Sequence, residues 1–263
     1  MSPFNYFRQH GRAIWFFVRQ DLVDRYRSDW LGVSWLFLQP LIYIVLFSTV
    51  FSALMRARLP GVESGHGYTI YLISGLLVWN LFAQSVSRLS TWYRDRAHLY
   101  RKVSIGLLAP PLSVLFSEFV IYVVSMSFFS IFLWVIGHPI SWHWVWLLLV
   151  MGTFLTFAFG VGVIAGMLEV FIPDIRRVIP IALQIGFWFS PIVYTVDILP
   201  DALQNAQQWN PVTMILQGVR QIILYGKPLS IDFILFPATA AVISVWILVI
   251  LHRRIHRVLR DAL

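Results

Sequence analysis

The chain has 263 residues, of which 59% are apolar and only 12% charged, about half the charged share of an ordinary soluble domain. That composition excludes a water-soluble globule, a disordered chain and a secreted disulfide scaffold, and the lack of cysteine removes thiolate metal sites and a cysteine nucleophile. The excess of 20 Lys+Arg over 12 Asp+Glu lies in the gaps between long apolar runs, where positive charge reports membrane orientation instead of nucleic-acid binding.

Residues 4–26 put Phe4, Phe7, Ile14, Trp15, Val18 and Leu22 at helical spacing on one face, with Arg8, Arg12 and Arg19 elsewhere. This describes an amphipathic helix lying in the membrane interface. A plain basic flank is compatible with the same residues, although orientation alone does not require so long a segment. Six apolar segments then reach the roughly 20 residues that a spanning helix needs. They cover residues 34–55, 68–87, 111–136, 144–168, 178–196 and 231–251. The expected fold is all-α and polytopic: an interface region over 1–33, then a six-span transmembrane domain over 34–263.

An even number of spans puts both termini on one side. Sixteen basic residues fall on that side, among them Arg88, Arg94, Arg96, Arg176 and Arg253, against four (Arg56, Arg58, Arg220, Lys227) on the other. The termini are therefore expected in the cytoplasm. No small-residue cleavage site follows a short basic and apolar start, so no removable signal peptide is expected.

Two connections are longer than hairpins need. The cytoplasmic one, 88–110, mixes Trp92 and Tyr93 with Arg94, Asp95, Arg96, Arg101 and Lys102, and closes on Pro110-Pro111, which suits a helix start. It is either a docking loop for a soluble partner or a solvated face. The outer one, 197–230, reads as two short helices, 200–209 and 212–226, separated by Asn210-Pro211. Val212, Ile215, Leu216, Val219, Ile222 and Ile223 share one face of the second. The pair either re-enters the outer leaflet and closes an exit or lies on the surface.

Within the spans Glu118 is the one clear ionisable group, near enough to the interface for a bond to a neighbouring helix to account for it. A proton-driven carrier would carry more such groups, so the energy source is expected in another subunit. Phe, Trp and Tyr number 21, 12 and 10, and many belong to interfacial belts. Trp35, Tyr43, Trp79, Phe187, Trp188 and Tyr194 fall within or at the ends of spans, where as a set they suggest a ring-lined path. Ala158, Gly162 and Gly166 form a small-residue stripe for close helix packing. Pro40, Pro180, Pro191 and Pro237 are candidate kinks.

No G-x-x-x-x-G-K-[ST] loop, H-E-x-x-H, G-x-S-x-G or paired intramembrane carboxylates occur. His252 and His256 have metal-ligand spacing, but a basic juxtamembrane helix explains them at lower cost. An enzyme is not expected, and neither a metal nor a cofactor is expected in this chain.

Arg25-Tyr26-Arg27-Ser28-Asp29-Trp30-Leu31-Gly32, then Trp35 and Gln39-Pro40-Leu41, resemble the permease subunit of bacterial ATP-binding-cassette exporters of lipid-linked polysaccharide, the O-antigen, capsule and teichoic-acid export family. The resemblance continues through Arg101-Lys102-Val103, Pro110, Leu112-Ser113, Phe171 and Asp174-Ile175-Arg176. It resumes at Phe189-Ser190-Pro191-Ile192-Val193-Tyr194, Asn210-Pro211 and Arg220, in order over nearly the whole chain. Ala109-Pro110-Pro111 departs from the family's usual single proline with charged neighbours. The resemblance implies a homodimer with two copies of a separate P-loop ATPase, which holds ATP and Mg. It also implies a polymer on a polyisoprenoid lipid, exported across the bacterial inner membrane to the periplasm, with membrane lipid around the spans and no nucleic acid. By position it assigns Trp35, Tyr43, Phe187, Trp188 and Tyr194 to the channel, and Asn210, Pro211 and Arg220 to an outer gate. ATPase contact falls to Arg25, Tyr26, Arg27, Arg94, Asp95 and Arg96. Rival readings are a drug or small-lipid export permease of the same architecture, and a membrane anchor or sensor that transports nothing.

Overall fold

The computed structural model describes residues 3–26, 30–54, 66–97 and 108–262. Among these residues the chain is all-helical, with nine α-helices: α1 Pro3–Tyr26, α2 Trp35–Leu54, α3 Gly67–Asp95, α4 Ala109–Val135, α5 Trp146–Phe171, α6 Ile175–Phe189, α7 Asp201–Gln207, α8 Pro211–Ile223 and α9 Asp232–Ala262. Arg27, Arg101, Lys102 and Val103 lie outside the described residues, as does the side chain of Tyr26.

Local chemistry sets the boundaries. Pro110 and Pro111 open α4, where their missing N–H groups cost nothing. Gly137, at φ +74°, ends the same helix, with the His138 N–H reaching the Leu133 carbonyl at 2.9 Å. Asn210 caps α8 by accepting the Val212 N–H at 3.0 Å, and Pro211 follows at the first helical position. Pro40, Pro180 and Pro237 sit inside α2, α6 and α9.

Pro191 is not inside a helix. The fifth apolar segment, expected over 178–196, is helical only to Phe189, because the residue before a proline is pushed out of the α region and Ser190 is extended at ψ 141°. With 15 residues α6 rises about 22 Å, short of the ~30 Å hydrocarbon core. Among the described residues four stretches are long and apolar enough to cross a bilayer: Gly67–Asp95, Pro110–Val135, Trp142–Phe171 and Asp232–Arg254. Trp35–Thr49 is apolar but shorter. The 88–110 connection is also less of a loop than expected, since α3 continues through Asp95.

The bundle is organised around α3, which packs against α2, α4, α5, α6 and α8 and buries Leu72, Val78, Val86, Leu89 and Tyr93. The small-residue stripe of α5 is what lets it close on α3. A Cβ on Gly162 would lie 2.7 Å from the Leu89 Cβ, and one on Gly166 would collide with the Leu89 carbonyl. α9 packs on the opposite side of α5, while α1 lies along α4. The inward face of α1 includes Val18 and Asp21, whereas Trp15 and Phe16 are exposed.

Candidate functional site

Charged and polar side chains gather at the two ends of the bundle. At the α1 end, three helices meet at Glu118, which is 3% exposed. Its Oε1 accepts from Arg25 Nη1 of α1 at 2.8 Å and from Arg88 Nη1 of α3 at 2.6 Å. The other Arg88 nitrogen, Nη2, donates to Asp21 Oδ1 at 2.5 Å. Two cations and two carboxylates therefore balance, which is the condition under which buried charge is tolerated. This is the neighbouring-helix bond expected for Glu118, made through ion pairs. Asp21 and Arg88 were not singled out as site residues from sequence, and nothing there distinguished Asp21 from Asp24, the other carboxylate of this basic helix.

A second cluster at this end is looser. Asp95, at the end of α3, pairs with Arg176 at the start of α6, while Glu169, fully buried on α5, lies 3.7 Å from Arg94 and 3.9 Å from Arg176. Neither Glu169 oxygen takes a hydrogen bond among the described residues. Arg96 folds back over the Trp92 ring at 5.0 Å. Of the positions assigned to ATPase contact, Arg25 is thus turned inward to Glu118, and Arg94, Asp95 and Arg96 line the end of α3. No ion pair joins these two sets among the described residues.

At the opposite end, the non-helical stretch after Phe189 is held by side chains from α3, α7 and α8. Arg220 Nη1 donates to the Pro191 carbonyl at 2.7 Å, and Nη2 donates to Ile192 at 3.1 Å and to Tyr71 at 3.4 Å. Its guanidinium lies 3.4 Å over the Tyr71 ring. The Tyr71 hydroxyl donates to the Tyr194 carbonyl at 2.7 Å, and that of Tyr68 to the Val193 carbonyl at 2.7 Å. Gln207 reaches the Phe189 carbonyl at 2.6 Å, and Asn210 reaches Ser190 Oγ at 3.3 Å. Exposed irregular backbone cannot sit in hydrocarbon, and these donors answer its carbonyls one after another.

The three residues assigned to the gate, Asn210, Pro211 and Arg220, therefore all belong to α8 or its cap, and two of them grip the chain just beyond α6. Arg220 lies in the connection between apolar segments. Burial is the largest influence on it and lowers its pKa to about 10, which leaves it charged at neutral pH. Gly75 makes room for it: a Cβ there would lie 2.6 Å from Arg220 Nη2. Tyr68, Tyr71 and Gly75 had no distinguishing spacing in the sequence.

The five aromatic positions assigned to the channel fall in two groups on helices that both pack on α3. On α2, Trp35 and Tyr43 are exposed, and Tyr43 stacks on Phe47. On α6, Trp188 is 64% exposed, while Phe187 is wedged edge-on against both Trp188 and Trp79. Tyr194 turns back, its hydroxyl donating to the Trp188 and Phe189 carbonyls at 3.0 and 2.8 Å, so it caps α6.

Long apolar helices around one central rod, charges confined to its ends and a broken helix whose carbonyls are capped define a multi-pass membrane protein of the transporter type. The chain belongs to the ABC-2 type transporter family, whose profile matches residues 12–224. It is 28% identical over 211 residues to the O-antigen export system permease protein RfbA of Klebsiella pneumoniae, covering 80% of this chain and 79% of that protein. It is 23% identical over 231 residues to the protein of the same name from Myxococcus xanthus, covering 87% and 86%. Identity to the polysialic acid transport protein KpsM of Escherichia coli is 19% over 208 residues, 79% of each chain.

Proposed function

We propose that the chain is the permease subunit of an ATP-driven exporter that carries a lipid-linked polysaccharide of the O-antigen kind from cytoplasm to periplasm. The observation that carries this reading is the similarity, over about four-fifths of both chains, to permeases named for O-antigen export. The sequence contains no phosphate-binding loop, so ATP and Mg belong to a separate P-loop ATPase, two copies of which serve a homodimer of this chain.

In this reading the chain spans the inner membrane six times with both termini cytoplasmic. The four long helices cross directly. α2 is the first span, and α6 is completed as the fifth by the capped stretch beyond Ser190. α1 is the cytoplasmic interface helix, and α7 with α8 forms the re-entrant gate over 197–230. The polymer passes between two copies of the chain along the aromatic residues of α2 and α6. Movement imposed by the ATPase on α1 and on the end of α3 is passed into the bundle through Arg25, Arg88 and Glu118.

Deleting the gene and complementing it in its own host tests the function. The expected result is loss of surface polysaccharide with lipid-linked polymer accumulating inside, restored by the intact chain. An unchanged surface polysaccharide profile would overturn the reading.

A further inference from the structure

A crevice between α2 and α3 changes character along its length. Nearest α1 it opens into a cavity of about 120 Å³ lined by Arg25, Gln39, Tyr43, Asn80, Gln84 and Glu118. Beyond Pro40, Tyr43, Leu77 and Asn80, which line both, lies a cavity of about 190 Å³ walled by Ile44, Phe47, Ile73 and Leu76. From Gln39 to Phe47, α2 climbs about 12 Å away from the α1 end, and α3 runs antiparallel beside it. One end of the crevice is polar and the other apolar.

The polar end has unused hydrogen-bonding capacity. Gln39, Asn80 and Gln84 are exposed amides in otherwise apolar helices, and their side chains bond to nothing among the described residues. An amide left without a partner in hydrocarbon is costly. Glu118 spends Oε1 on two arginines, while its Oε2 takes no hydrogen bond among the described residues. The surrounding charges, Asp21 and Glu118 against Arg25 and Arg88, already balance. An anionic head would upset that balance, and a quaternary ammonium has no N–H for Oε2.

We propose that this crevice binds one membrane phospholipid with a primary-ammonium, ethanolamine-type head. Its ammonium donates to Glu118 Oε2, its phosphate lies against the amides on the Arg25 side, and one acyl chain runs along Ile44, Phe47, Ile73 and Leu76. The inference rests on the membrane placement given above, and the crevice shares Tyr43 with the proposed polymer path.

The full chain, with its partners, is extracted into polymer discs, washed in detergent and reloaded from vesicles of ethanolamine, choline or glycerol phospholipid. Retained lipid is then counted by mass spectrometry. About one ethanolamine lipid per chain should survive a wash that strips the other two. Asn80→Leu with Gln84→Leu should lower retention about five- to thirtyfold, the effect of losing one or two hydrogen bonds, with thermal stability unchanged. Glu118→Gln should bring ethanolamine and choline lipids to equal retention. Washing that removes all lipid from the unaltered protein, equal retention of the three lipids, or full retention by the Asn80/Gln84 variant would each overturn the proposal.

Discussion

Arg88, on α3, and Arg220, on α8 and packed against the other end of α3, are held in different ways. Arg88 divides its guanidinium between two carboxylates on two other helices. Among the described residues Arg220 has no carboxylate partner; its fork is spread over three backbone carbonyls and an aromatic ring. A carboxylate side chain can follow a moving arginine through its own rotamers, and the pair stays neutral as it moves. A carbonyl cannot follow without the backbone moving. The α1 junction is thus built to tolerate displacement, and the Arg220 junction to forbid it.

Breaking the rigid junction should cost most. Arg220→Ala leaves the Ile192 carbonyl buried without a donor and the Pro191 carbonyl with only the Tyr71 hydroxyl at 3.2 Å, and should destabilise the protein by about 3–5 kcal/mol, read as a lowered melting temperature in detergent. Arg220→Lys should recover only part of this, because a single ammonium cannot reproduce the fork. Full recovery by lysine would mean that charge, not geometry, holds this end.

Glu118→Gln should cost less, about 2–3 kcal/mol, since Arg88 keeps Asp21 and the amide oxygen still accepts. A double-mutant cycle with Arg88→Met should show coupling between the two positions, and strict additivity would remove Glu118 from the junction. The smallest effect on stability is expected at Trp188, which is 64% exposed: Trp188→Ala should change it by less than about 0.5 kcal/mol while slowing export. An unchanged export rate would remove Trp188 from the proposed path.

The ends of the helices were largely legible in the sequence, because apolar runs, Pro110-Pro111 and Asn210-Pro211 act locally. The early stop of α6 was written there too, in Ser190-Pro191, but the apolar Ile192-Val193-Tyr194 run obscured it. Hydropathy measures whether a residue tolerates lipid, not whether its backbone is helical. The junctions themselves were not legible. Arg88 pairs with Asp21 from 67 positions away and with Glu118 from 30, and no periodicity relates such partners. Arg25 sits in a basic segment that invites an external contact, and only the packing of α1 on α4 turns it inward.

The two junctions share α3. Between Tyr71 and Arg88 it rises about 26 Å, and the glycines of α5 press a second backbone against that rod near Leu89, leaving little slack for bending. Held to α5 near Leu89 and pinned through Arg220 at its other end, α3 can tilt only together with α5, as one lever. A tilt of about 5° about the Arg220 end would carry Arg88 sideways by roughly 2 Å, within reach of a rotamer change at Glu118. Small strokes at α1 would then be taken up as rotation of α3 and α5 together about a pivot at the Arg220 end.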